Sequence, residues 1–136
     1  MIETGRFVFD TNVLVSALLL PGSVPGRAFQ NGLKKGIILV SPATVAELYE
    51  VLSREKFLPY ITSEDRDAFL DALVKEALLV EPLHRIDACA DPKDNKFLEA
   101  AIEGNATCII SGDKHLLAMK TIGTIPILTP ARFLST

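Results

Sequence analysis

Short apolar runs alternate with longer amphipathic stretches along this chain. Arg6-Phe7-Val8-Phe9-Asp10 is the first run and ends in a carboxylate. Ile37-Ile38-Leu39-Val40 is continuous, short and β-branched, as expected of a parallel strand covered on both faces. Leu78-Leu79-Val80-Glu81-Pro82, Thr107–Ile110 and Ile125-Pro126-Ile127-Leu128 complete a set of five predicted strands. A proline in the last of these is tolerable at an edge.

The stretches between them carry helix signals. Thr11–Leu20 is predicted helical, with Pro21-Gly22 as its stop. A second helix runs from Pro25 to Lys34 and Lys35, with Gly36 after it. Ser41-Pro42 reads as a cap followed by proline at the first helical position, opening a helix that extends to about Arg54 or Phe57. Thr62, with Asp65 three residues on, caps a helix to Ala77. Asp91-Pro92-Lys93-Asp94 opens another that stops at Gly104, with Asp94 in its first turn. Lys114–Met119 is a short helix and Pro130–Leu134 a final turn. Repeated strand–helix alternation predicts one α/β domain over residues 1–136, a mostly parallel sheet with helices on both faces.

Composition narrows the class without changing that picture. At 136 residues and 49% hydrophobic, the chain can bury one core. A net charge of -3 argues against a general nucleic-acid coat protein but allows an acidic centre with a basic rim. Cys89 and Cys108 require no disulfide, which suits a reduced, cytoplasmic protein. No apolar stretch reaches membrane-spanning length, and Met1-Ile2-Glu3-Thr4 carries no basic leader.

The acids then acquire meaning from position. In open α/β sheets, ligands bind beyond the carboxyl ends of strands. Asp10 follows the first strand, Asp113 follows the fourth, Asp94 opens the preceding helix, and Glu47 lies in the second turn after strand two. Asp10, Asp94 and Asp113 each have an alternative local role as a helix cap or first-turn acid. Glu47 lies past the first turn, between apolar residues, whereas Glu50 reads as the solvated acid of that helix. Carboxylates gathered closely repel unless protonated or neutralised, and an all-oxygen donor set suits Mg²⁺ or Mn²⁺. Lys93, Lys96 and Lys114, near the acids in sequence, are candidates for contact with phosphates, or simply solvated helix-surface residues.

Phe9-Asp10-Thr11-Asn12-Val13-Leu14, Ser41-Pro42 through Glu47-Leu48, Asp91-Pro92-Lys93-Asp94-Asn95, Ser111-Gly112-Asp113-Lys114-His115 and the tail Ile125–Leu134 together resemble the PIN-domain family of metal-dependent ribonucleases. The likeness covers nearly the whole chain and is nearest the VapC-like branch of toxins in toxin–antitoxin pairs. It implies a three-layer α/β/α sandwich with a five-stranded sheet, cleavage of RNA, a homodimer and a cognate antitoxin. It also implies that Asp10, Glu47, Asp94 and Asp113 are catalytic and hold the metal, with Asp91 accessory. Thr11 and Asn12 match the polar pair that steadies the first acid or its water, with Asn12 also on the substrate side, and Ser111 packs beneath the site. One departure is His115, where this branch often has an acid; it reads as a surface residue and not a metal ligand. A phosphatase using Asp10 as nucleophile is disfavoured, because Asn12 stands where a second aspartate is expected. A catalytically silent RNA- or protein-binding module is the remaining alternative.

Overall fold

A computed structural model describes residues 4–136; the stretch before Thr4, read above as lacking a leader, lies outside the described residues. Strand β1 (Gly5–Phe9) lies between β2 (Gly36–Val40) and β4 (Cys108–Ile110), parallel to both. β3 (Leu78–Leu79) pairs with β2, and β6 (Ile125–Leu128) with β4. The order is β3-β2-β1-β4-β6-β5, with β5 (Thr121–Ile122) the one antiparallel member among the described strands.

Alternation along the central strands builds two cores. Phe7 and Phe9 of β1, Ile38 and Val40 of β2, and Ile110 of β4 face α1 (Thr11–Leu19), α2 (Val24–Lys35), α3 (Pro42–Leu52) and α4 (Ser63–Glu76). Val8, Leu39 and Ile109 face the other way, against α5 (Asn95–Glu103) and Leu116 of α6 (Lys114–Met119). Period-two alternation on a sheet covered on both faces gives the α/β/α sandwich. Phe133 of α7 (Pro130–Leu134) packs edge-on against Phe7, ring centroids 5.0 Å apart. Gly36 lies so close to the Gly5 carbonyl that a Cβ there would collide with it.

Several predicted boundaries move. β3 shrinks to two residues plus one further bond, Val80 N–H to the Val40 carbonyl at 2.8 Å, because β2 ends where Ser41 turns to cap α3. α3 stops at Leu52, and Glu55–Phe57 forms a separate 3-10 turn. Pro92–Asp94 is likewise a 3-10 turn, so Asp94 precedes α5 instead of lying within its first turn. The sixth strand, β5, arises from a two-residue turn over Gly123, whose φ of 59° suits glycine. Thr62 and Asp65 form the expected reciprocal cap of α4. Both cysteines are buried free thiols, and burial pushes Cys108 up to about 11.

Candidate metal centre

The sheet order reverses between β1 and β4: β2 and β3 extend to one side, β6 and β5 to the other. At such a point the chain departs in opposite directions from two neighbouring strand ends, leaving a crevice. Asp10 stands at one lip and Ser111-Gly112-Asp113 at the other, joined by the bond from Asp10 N–H to the Ile110 carbonyl at 3.0 Å.

Asp10 is buried and fully engaged. Its Oδ1 accepts from Val13 N–H at 2.9 Å, capping α1. Its Oδ2 accepts from the buried Ser111 hydroxyl and from Gly112 N–H at 3.2 Å. Burial raises its pKa, against the lowering effect of the three donors, while nearby Asp113 adds to the rise. Capping and site roles therefore coexist in one carboxylate.

Asp113 caps α6, with Oδ2 accepting from His115 N–H at 2.9 Å and Leu116 N–H at 3.1 Å. Burial works to raise its pKa, but the Leu116 and His115 amides and Asp94 outweigh it, so it is lowered. Asp94 is the opposite case. It holds the cap position of α5 without making the cap bond, and its Oδ2 is buried with no partner. Burial first, then Asp113, Asp91 and Glu47, push its pKa up to about 7. Asp91 caps the preceding 3-10 turn, accepting from Lys93 N–H at 3.1 Å.

Glu47 reaches in from α3. Lys96 Nζ donates to its Oε1 at 2.6 Å, and the Thr11 hydroxyl donates to its Oε2. Lys96, a candidate for phosphate contact, is thus the counter-ion of Glu47. Lys114 is exposed and does not line the cleft, whereas Lys93 does. Asp10, Glu47, Asp91, Asp94 and Asp113 share the wall of one cleft of about 320 Å³, with Thr11 and Asn12 beside them. Arg54 and Lys56 line the same cleft, two cations that sequence reasoning missed because they follow a helix end and lie far in sequence from Asp10, Asp91, Asp94 and Asp113.

The residues fit a hard divalent ion. Like charges line one cleft, and one oxygen of Asp94, a residue of its wall, is buried without a donor, an arrangement that a cation relieves. His115 corrects its sequence reading as a plain surface residue. Its side chain is 38% exposed, but Nδ1 is buried and unpartnered, and a ligand atom of His115 lies within 4.8 Å of one each from Asp91 and Asp94.

A family profile described as PIN domain matches residues 6–115, spanning every acid described above. The chain belongs to the PIN domain family. It is 32% identical over 117 residues to an uncharacterised protein, MJ1680, of Methanocaldococcus jannaschii, covering 85% of this chain and 75% of that one. Its fold is similar to a chain of VapBC2 from Rickettsia felis, solved bound to a DNA fragment from its promoter (TM-score 0.63, 15% identity, 91% and 98% of the two chains). It is also similar to a chain of DNA-bound VapBC from Salmonella typhimurium (0.61, 14%, 93% and 99%) and to PAE2754 from Pyrobaculum aerophilum (0.59, 12%, 100% and 99%). At such identities these structures speak for the fold. In this PIN domain no described helix is long and apolar enough to cross a membrane.

Proposed function

We propose that this PIN domain is a Mg²⁺- or Mn²⁺-dependent ribonuclease and the toxin of a toxin–antitoxin pair. The observation that carries the reading is the convergence of Asp10, Glu47, Asp94 and Asp113 on one cleft at the switch point of the sheet, with a buried oxygen of Asp94 left without a donor. A bound divalent ion supplies Lewis acidity toward phosphate and makes water a better nucleophile. Asp10, Asp94 and Asp113 hold the ion. Asp10 is already fixed by Ser111, Val13 and Gly112, so its oxygens need little reorganisation. Glu47, oriented by Thr11, holds a second ion or aims the water. Asn12 is exposed at the mouth, and Arg54, Lys56 and Lys93 give a phosphate backbone cations beside the acids.

The test is RNA cleavage by highly purified protein in Mg²⁺ or Mn²⁺. Activity that survives complete chelation would remove the metal from the mechanism. Sequencing the 5′ ends of RNA cut in cells would define the target.

The toxin assignment draws on likeness to VapBC chains and carries a cognate antitoxin, a homodimer and a cytoplasmic setting with it. Purification from the native host tests it: a homo-oligomer alone, with no neighbouring small gene, counts against a partner. The silent-module reading draws support from the Lys96–Glu47 ion pair, which neutralises one acid within the chain. Tight Mn²⁺ binding without hydrolysis of any RNA would favour it.

A further inference from the structure

We infer that His115, which lies beside the cleft without lining it, is a nitrogen ligand of a metal shared with Asp91 and Asp94 of the cleft wall, and that it tilts the centre's choice from Mg²⁺ toward Mn²⁺. The inference rests on the metal-dependent reading above and goes beyond it in naming an imidazole among the donors.

Three observations support it. First, Asp113 fixes the start of α6 through the His115 and Leu116 amides, which sets where the His115 ring begins. Second, His115 Nδ1 is buried without a hydrogen-bond partner, and Asp94 Oδ2 is in the same condition. The nearest carboxylate to that nitrogen among the ion pairs, Asp113 Oδ2, is 3.8 Å away, too far for a hydrogen bond, and is already held by two amides. Third, Asp91, Asp94 and His115 each offer a ligand atom, all within 4.8 Å of one another, although they come from two segments of chain. An ion reached by His115 Nδ1 and Asp94 Oδ2 would give both orphaned atoms a partner.

The consequence follows from donor chemistry. Mg²⁺ favours oxygen and retains water. A neutral imidazole adds a donor without adding charge, so it does less for a hard ion held by electrostatics. Nitrogen donors favour first-row transition ions, with Mn²⁺ at the weak end of that series. Replacing His115 by aspartate exchanges a nitrogen for a charged oxygen and moves the preference back.

The experiment uses the full chain, stripped with chelator and titrated with Mn²⁺ or Mg²⁺ in a calorimeter. Pulsed electron paramagnetic resonance of the Mn²⁺-loaded protein provides the direct readout. The wild type should show coupling of Mn²⁺ to a ligand ¹⁴N. His115→Asp should abolish that coupling and lower the Mn²⁺-to-Mg²⁺ affinity ratio several-fold. His84→Gln, which changes the only other histidine of the chain, should leave both unchanged. Absence of nitrogen coupling in the wild type, or its survival in His115→Asp, overturns the inference, as does protein that binds no Mn²⁺. RNA cleavage is scored separately. Coupling that depends on His115 without cleavage sinks the nuclease and leaves the ligand. Cleavage without such coupling sinks the ligand and leaves the nuclease.

Discussion

Asp10 and Asp94 line the same cleft in opposite states. Asp10 is buried beneath three donors and caps a helix, so its position is fixed by the fold and the donors offset part of what burial costs its charge. Asp94 occupies a cap position but makes no cap bond, and it faces Asp113, Asp91 and Glu47 with one oxygen buried and unmatched. One acid is a finished part of the structure; the other is completed only by a cation or a proton. A centre built this way has a rigid side that sets geometry and a responsive side that senses what is bound.

The largest expected effect tests the rigid side. Asp10→Asn should reduce RNA cleavage to the chelated background, since the amide lacks the charge that holds a hard ion. On charge alone, losing one like-charged neighbour would favour the fold. The hydrogen bonds argue the other way. Val13 N–H and Gly112 N–H approach different oxygens of Asp10, so an asparagine amide group must confront one of these donors. The variant should lose about 1–3 kcal/mol in chelator, the cost of an unmatched buried donor. A denaturant melt of metal-free protein measures it; a melt equal to wild type would show that the three bonds do not support the fold.

Asp94→Asn should also stop cleavage but change stability in the opposite direction, because no cap bond is lost and a repelled charge is removed. The pH dependence follows from the same asymmetry. With its pKa raised from 3.8 to about 7, folded Asp94 binds a proton over a window where the unfolded chain has released it. Unfolding then releases protons, so metal-free wild type should lose stability as pH rises from about 4 to 7 and level off above. Asp10, also raised by burial, adds to the slope with the same sign, so the decisive reading is its flattening in Asp94→Asn. An unchanged slope would place the responsive side elsewhere.

Why the first half of this contrast was legible and the second was not is a matter of range. Asp10 at a strand end, Ser41-Pro42 and Thr62 with Asp65 are set by neighbours within four residues, and they lie where local rules put them. Asp94 obeyed the same rules on paper, but Asp91-Pro92 starts a 3-10 turn and an α-helix equally well, and only packing chose. Lys96 meets Glu47 across 49 residues, and His115 meets Asp91 and Asp94 only once α6 is seated. Leu78–Val80 looked like a full strand because apolar runs do not reveal where the partner strand ends. Thr121–Ile122 is too short to give a strand period, although Gly123 was a usable turn signal.

The basic rim allows a milder test, of binding alone. Lys56→Gln should weaken RNA binding by a few-fold and lower its salt dependence by about one counterion, across RNA sequences alike. Stability should stay close to wild type, since Lys56 is exposed and stacks only over the Phe57 ring, 5.1 Å from its centroid. Filter binding at several salt concentrations reads this. An unchanged salt slope would remove Lys56 from the path of the phosphates.

The smallest effect belongs to Glu50→Gln. Sequence alone makes Glu50 an inert control, a solvated acid on the outer face of α3, and its exposure agrees. Yet its carboxylate accepts from Arg54 Nε at 3.2 Å and Nη2 at 2.8 Å, and Arg54 lines the acidic cleft. Exposed pairs of this kind add little to stability, so thermal melts of the variant and the wild type should superimpose. Glutamine keeps an oxygen that can accept one of the two bonds but gives up the charge that opposes the guanidinium. Arg54 becomes freer to turn toward phosphate, and the neighbourhood loses a negative charge, so RNA binding should tighten slightly while cleavage per bound RNA is unchanged. A Michaelis analysis separates the two, with KM falling and kcat constant. A fall in kcat would mean that the Glu50–Arg54 pair helps position the acids, and that the rigid side of the site extends beyond Asp10 into α3.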